Sequence, residues 1–177
     1  AYTNLSFGLN YTYGRGYYEE YKDLWFEQNI NFSEENNFSY LGLVPYTVGN
    51  TFVDTTENII RKWLDNDYYV ATFSLNTQKG NTALNFGAMF SNYIGDHFGE
   101  LVFASNPSGG LPRDRFYENQ GKKKEGNVYA KVNHQFDDLF SGYLDLQYRN
   151  ISYTADGNLK GPELIAVDEE YSFFNPK

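Results

Sequence analysis

Tyr69-Val70-Ala71-Thr72-Phe73-Ser74-Leu75-Asn76, the turn Thr77-Gln78-Lys79-Gly80, and then Leu84-Asn85-Phe86-Gly87-Ala88-Met89-Phe90-Ser91 decide how this chain is read. Side chains of a strand alternate between its faces with period two. Tyr69, Ala71, Phe73 and Leu75 therefore share one face with Leu84, Phe86, Ala88 and Phe90. Val70, Thr72, Ser74 and Asn76 share the other with Asn85, Gly87, Met89 and Ser91. One face is apolar and the other is mostly small or polar.

The pattern repeats along the chain. Val128, Ala130, Val132 and Phe136 alternate with Asn127, Tyr129, Lys131, Asn133 and Gln135, with His134 the one misfit. Past Asp137-Asp138, Gly142, Leu144, Leu146 and Tyr148 alternate with Ser141, Tyr143, Asp145, Gln147 and Arg149. Leu5, Phe7, Leu9, Tyr11 and Tyr13 alternate with Asn4, Ser6, Gly8, Asn10 and Thr12. The alternation gives about five complete strands. No Asp, Glu, Lys or Arg stands on these apolar faces, whereas Lys131, Asp145 and Arg149 fall opposite. A cation at the bilayer midplane costs about 2 to 4 kcal/mol, so a lipid-facing surface demands this segregation. Strands of roughly 10 residues, tilted near 45°, cover about 25 Å, the height of a barrel's apolar band.

The expected fold is therefore all-β: an antiparallel up-and-down transmembrane β-barrel, present as an incomplete segment of about five to six strands. Those strands lie near 3–14, 66–77, 81–94, 126–137, 140–154 and 171–177. The turns after Asn76 and Phe136 are short, whereas Gly14 to Asn66, Asp96 to Gly126 and Ala155 to Glu170 read as long polar loops. Outer-membrane barrels have short periplasmic turns and longer extracellular loops, so the strand from Asn4 runs outward and the long loops are extracellular. Within the longest loop, Ile59, Ile60, Trp63 and Leu64 have helical spacing, with Thr55 or Thr56 as cap. A short helix and an upward extension of the descending strand both fit, and the β-rich neighbours favour the strand.

Composition agrees. Aromatic residues make up 19% of the 177 residues, with 17 Tyr and 15 Phe, as suits interfacial girdles or, in a soluble protein, sugar-binding platforms. Zero cysteine leaves no disulfide framework and no thiolate metal site. A formal charge of -9, with Lys122-Lys123-Lys124 the one basic run, argues against a nucleic-acid partner. No stretch has the length of a transmembrane helix, and Ala1 to Asn4 has neither the basic nor the apolar part of a signal peptide.

Leu9 to Tyr21, Arg61 to Tyr69, Gly95 to Glu100, Asn127 to Lys131 and Phe173 to Lys177 together give the chain its likeness. In their order and spacing it resembles the C-terminal barrel of TonB-dependent outer-membrane receptors of the Bacteroidetes type. The resemblance implies a barrel of about 22 strands around a plug domain, of which this chain supplies an internal section. It implies, for the whole protein, energised uptake of a scarce nutrient: a siderophore or other metal chelate, a vitamin or a glycan. The implied partners are the remaining barrel and the plug, the TonB complex reached through that plug, outer-membrane lipid and the small-molecule nutrient. A secreted β-sandwich carbohydrate-binding module and a passive outer-membrane pore are the alternatives.

No enzymatic chemistry is expected. Asp96-His97 with Glu100, Asp65 and Asp67 matches no metal-ligand spacing, and no metal or cofactor is expected. Gly14-Arg15-Gly16 and Ser108-Gly109-Gly110 lack the strand, helix and Lys-Ser or Lys-Thr of a phosphate loop. No Gly-x-Ser-x-Gly occurs, and Asp137-Asp138 and Glu169-Glu170, adjacent in sequence, point to opposite faces of a strand. The candidate ligand contacts are the loop aromatics Tyr17, Tyr18, Tyr21, Trp25, Phe26 and Trp63, which combine stacking faces with polar handles.

Overall fold

The computed structural model describes residues 1–22, 38–160 and 163–177. The period-two pattern resolves into β1 (Tyr2–Lys22), β4 (Asn58–Lys79), β5 (Thr82–Ala104), β6 (Arg115–Gln135), β7 (Ser141–Lys160) and β8 (Glu163–Pro176). These form one antiparallel sheet in the order β1-β4-β5-β6-β7-β8. Between β1 and β4, β2 (Tyr46–Val48) and β3 (Thr51–Val53) form a separate hairpin. Among the described residues there is no helix. The segment open between helix and strand is strand from Asn58 onward, where Ile60 pairs with Glu20 on one side and Leu101 on the other.

Register aligns the alternation across the sheet. Leu5, Leu75, Phe86, Ala130 and Leu146 stand opposite one another in a row, and Phe7, Phe73, Ala88, Val128, Tyr148 and Phe174 form the next. Leu9, Ala71, Phe90, Gly126 and Asn150 follow, and Tyr11 and Tyr69 close the band, their rings stacked 4.8 Å apart. On the other face, Asn4, Asn76, Asn85, Lys131 and Asp145 form a row in which Lys131 Nζ lies 3.6 Å from Asp145 Oδ2. Arg149 Nε pairs with Glu125 Oε1 at 2.8 Å on the same face. His134, the misfit on the apolar side, sits at the sheet's end with Nδ1 2.8 Å from Thr82 Oγ1.

The strands run well past their expected ends. Among the described residues, most of the connections expected over 14–66, 96–126 and 155–170 are strand: β1 reaches Lys22 and β4 starts at Asn58, β5 and β6 leave 105–114 between them, and β7 runs to Lys160 with β8 starting at Glu163. The third expected long loop is thus a two-residue connection. Ladder hydrogen bonds are made by the backbone and need no apolar side chain, so polar segments pair as well when cross-strand charges agree. Here they do: Arg15 pairs with Asp65 at 3.3 Å, Arg61 with Glu19 at 2.7 Å and Lys62 with Glu20 at 3.4 Å, all between β1 and β4.

Among the described residues the sheet does not close on itself. β1 pairs only with β4 and β8 only with β7, and the apolar face is open: Leu9 is 74% exposed and Phe7 68%. The accessible surface is 11790 Å², against roughly 8900 Å² for a compact monomer of this mass. The buried core lies at one end instead, where Phe38, Tyr40, Leu41 and Leu43 pack on Ile60, Leu101 and Phe116.

Glycines seat large rings along the polar face. A Cβ built on Gly87 would overlap the ring of Tyr129, its cross-strand neighbour in β6, whereas one on Gly14 meets nothing within 4 Å. Gly87→Ala should therefore lower stability by about 1 to 3 kcal/mol, read from the urea midpoint, while Gly14→Ala should not. Equal midpoints for the two variants would show that the Tyr129 ring moves aside freely.

Candidate functional site

The half of the sheet beyond the Tyr11–Tyr69 row carries a network of aromatic rings, guanidinium groups and carboxylates. On the face continuous with the apolar band, register sets Tyr17, Trp63 and Phe98 in one row. Their rings pack in series, Tyr17 tilted 48° against Trp63 at 4.5 Å and Trp63 stacked on Phe98 at 5.8 Å. Guanidinium groups of the neighbouring rows lie over these rings: Arg15 4.9 Å from Trp63, Arg61 4.6 Å from Tyr17 and Arg115 3.8 Å from Phe98. Such contacts contribute about 0.5 to 1 kcal/mol each where exposed and more where desolvated. Phe98, 3% exposed, is the desolvated one.

Carboxylates complete the ladder. Trp63 Nε1 donates to Glu100 Oε2 at 2.9 Å, and Arg113 Nε approaches the same oxygen at 3.9 Å. Arg113 reaches it from the 105–114 connection with a φ of 73°, a left-handed conformation uncommon outside glycine. The recess bounded by Arg15, Gly16, Tyr17, Trp63, Glu100 and Arg113 holds about 590 Å³.

The opposite face carries a different surface at the same height. Tyr18, Lys62, Gly99 and Tyr117 share a row, with Lys62 Nζ 5.7 Å from the Tyr18 ring centre. Above them the segment from Phe38 to Val53 folds down onto Ile60, Leu101 and Phe116, with Tyr40 and Phe116 rings 5.1 Å apart. Tyr117 packs against this cap, and burial pushes its phenol up to about 12, with Tyr18 and Glu20 adding to the rise. It remains a neutral hydrogen-bonding group at any physiological pH.

The six candidate aromatics are therefore not one cluster. Tyr17 and Trp63 pack together with tilted rings, and Tyr21, paired with Ile59, stands on their face. Tyr18 points to the opposite face, one residue having turned it over. Trp25 and Phe26 lie outside the described residues. Sequence reasoning missed Phe98, Arg15, Arg61, Arg115 and Glu100, because only the register shows that residues 98 and 63 are opposite. The carboxylates Asp65, Asp67, Asp96 and Glu100 share the face of Trp63, whereas His97 is on the other. Asp65 is held by Arg15, and Asp96 accepts a 2.7 Å hydrogen bond from Gln120. Among the described residues no group of three or more His, Cys, Asp or Glu side chains is arranged to hold a metal ion.

No protein-family model, curated protein or solved structure matches the chain. What it can do follows from its own surfaces, one apolar and one polar, continued beyond the Tyr11–Tyr69 row by an ion-paired extension.

Trp63 is the centre of that extension. Trp63→Ala removes two ring contacts and a hydrogen bond, and should speed amide exchange at 61–65 and 96–100 roughly 30-fold, equivalent to about 2 kcal/mol. Residues 71–75 should keep their protection. Uniform acceleration along β4 would show that the ladder does not stabilise the outer half separately.

Proposed function

We propose that this chain is a section of the wall of an outer-membrane β-barrel, and that the whole protein is a TonB-dependent receptor for energised uptake of a scarce nutrient. One observation carries the membrane reading. Across the sheet, from the Leu84, Val132 and Leu144 row to the Phe90 and Gly126 row, no charged side chain stands on the apolar face. Lys131, Asp145 and Arg149, at the same heights, and Glu125 just beyond them, are all on the other face and paired there. An exposed apolar sheet face is tolerable where lipid covers it, and stacked tyrosines at its upper edge suit the interface.

Strand length supports the same reading. A strand of 22 residues is about 73 Å long and, tilted near 45°, rises roughly 50 Å, about twice the apolar band of such barrels. The polar, ion-paired outer halves would then stand above the membrane. Six strands are too few to enclose a channel, and the unpaired edges of β1 and β8 suit pairing with further strands of the same barrel. The polar face would line the lumen and meet the plug, through which the TonB complex acts. The cap from Phe38 to Val53 would overhang the lumen mouth, with Tyr18 and Lys62 beneath it as the candidate nutrient contacts. Tyr17, Tyr21 and Trp63 would face outward.

A β-sandwich module needs a second sheet over the apolar face, and the described residues supply none. A passive pore has the same wall, and differs in lacking a plug. The nutrient class and the TonB-dependent mechanism rest on the sequence resemblance.

Facing is tested by charge. Phe86→Arg or Leu144→Arg should block insertion of the complete protein into bilayers, whereas Asn85→Arg or Gln147→Arg should be tolerated, scored by heat-modifiable gel mobility. Equal tolerance on both faces would remove the membrane reading.

A further inference from the structure

The 105–114 connection, which joins β5 to β6, touches both faces of the outer half. On the polar side it carries the cap. Ser108 Oγ donates to Val44 O, and a Cβ built on Gly110 would overlap Leu43 Cδ2, so cap and connection are in close contact. The backbone N–H of Ser105 donates to Glu57 O and that of Asn106 to the buried Thr56 Oγ1, both at 2.9 Å. At its other end the connection reaches the aromatic ladder. Arg113 Nε stands 3.9 Å from Glu100 Oε2, the oxygen that accepts the Trp63 indole N–H.

Leu101 links the two. Its side chain is buried with Ile60 and Phe116 under the cap, its carbonyl accepts the Arg113 N–H at 2.6 Å, and its chain neighbour Glu100 projects to the Trp63 face. Among the described residues, the two non-glycine positions with positive φ are Ser108 at 45° and Arg113 at 73°, both in this connection. Left-handed backbone is disfavoured for residues with a Cβ and persists where surrounding contacts hold it. Ser108 is held by the cap, and Arg113 by Leu101 and Glu100. Loss of either anchor lets the connection relax and draws it away from the other.

We propose that the 105–114 connection couples the seating of the cap on the polar face to the Trp63–Glu100 contact on the opposite face. In one state the cap is seated, Ser108 and Arg113 are left-handed, and Glu100 is engaged by both Trp63 and Arg113. In the other the cap is released and the connection relaxes to ordinary backbone angles, taking Arg113 from Glu100. Coupling free energies are reciprocal, so a ligand that favours one seating of the cap shifts the outward face, and a contact made at Arg113 shifts the cap. The coupling goes beyond the transport reading and stands without it, since it needs only contacts within this chain.

The test is hydrogen exchange on the complete protein, followed by mass spectrometry. The cap is read at Phe38 and Leu43, whose N–H groups donate to Asp54 O and Phe38 O, and the ladder at 61–65. Ser108→Ala removes a contact to the cap and none to the ladder, yet should speed exchange roughly 5-fold at both. Arg113→Gln should do the same from the other end. Arg61 and Arg115, the cross-strand neighbours of Glu100, keep that carboxylate compensated in this variant. With both substitutions present, exchange at 61–65 should be no faster than in Arg113→Gln alone. Arg15→Gln, which takes a guanidinium from the Trp63 ring without touching the connection, should leave the cap unchanged. Residues 71–75 should exchange as in the wild type throughout, since the sheet below is not altered. Effects of Ser108→Ala confined to the cap, additive effects in the double variant, or a loosened cap in Arg15→Gln would each overturn the coupling.

Discussion

Cross-strand register is the constraint on which everything else in this sheet depends. Because side chains alternate with period two, a slip of one residue between neighbouring strands would exchange their faces. Slipping β6 against β5 would bring Lys131 and Asn127 beside Phe86 and Phe90, and slipping β7 would do the same with Asp145 and Arg149. The ion pairs Lys131–Asp145 and Arg149–Glu125 hold only in the observed register, as does the seating of Tyr129 over Gly87. Apolar alternation and polar pairing thus specify one alignment from opposite sides.

The inner half of the sheet was legible in the sequence because its alternation is local. Each residue's face follows from its neighbours two positions away, so Leu5 to Tyr13, Tyr69 to Leu75 and Leu84 to Phe90 could be assigned without knowing what they pair with. The outer half was not. Glu19, Glu20, Arg61 and Lys62 carry no period-two hydrophobic signal, and in isolation they read as a solvated loop. They are strand because partners more than forty positions away supply the opposite charge.

The candidate site was legible only as residue types. Aromatic density near 17–26 and at Trp63 marked the outer end as an interaction surface, but parity divides that set. Tyr17 and Tyr18 are neighbours in sequence and stand on opposite sides of the sheet. The row of rings Tyr17, Trp63 and Phe98, with three guanidinium groups over it, depends on two registers at once, and neither is written in a single segment. The cap over Ile60 and Leu101 is likewise invisible locally, since Phe38, Leu41 and Leu43 lie in a stretch with no regular period.

The order of strands in the sheet also bears on how it forms. From β4 to β8 every neighbour in space is the next long strand in sequence, so each pair closes as a hairpin over a connection of at most ten residues. β1 is different: its partner is β4, and residues 23–57 must be spanned before the first ladder bond is made. Closing a longer loop costs more chain entropy and slows the pairing it precedes. β4 to β8 can therefore zip together as a unit with β4's outer edge still open. Of these six strands β1 has the longest connection to close, so its pairing with β4 is the slowest to be favoured by chain entropy.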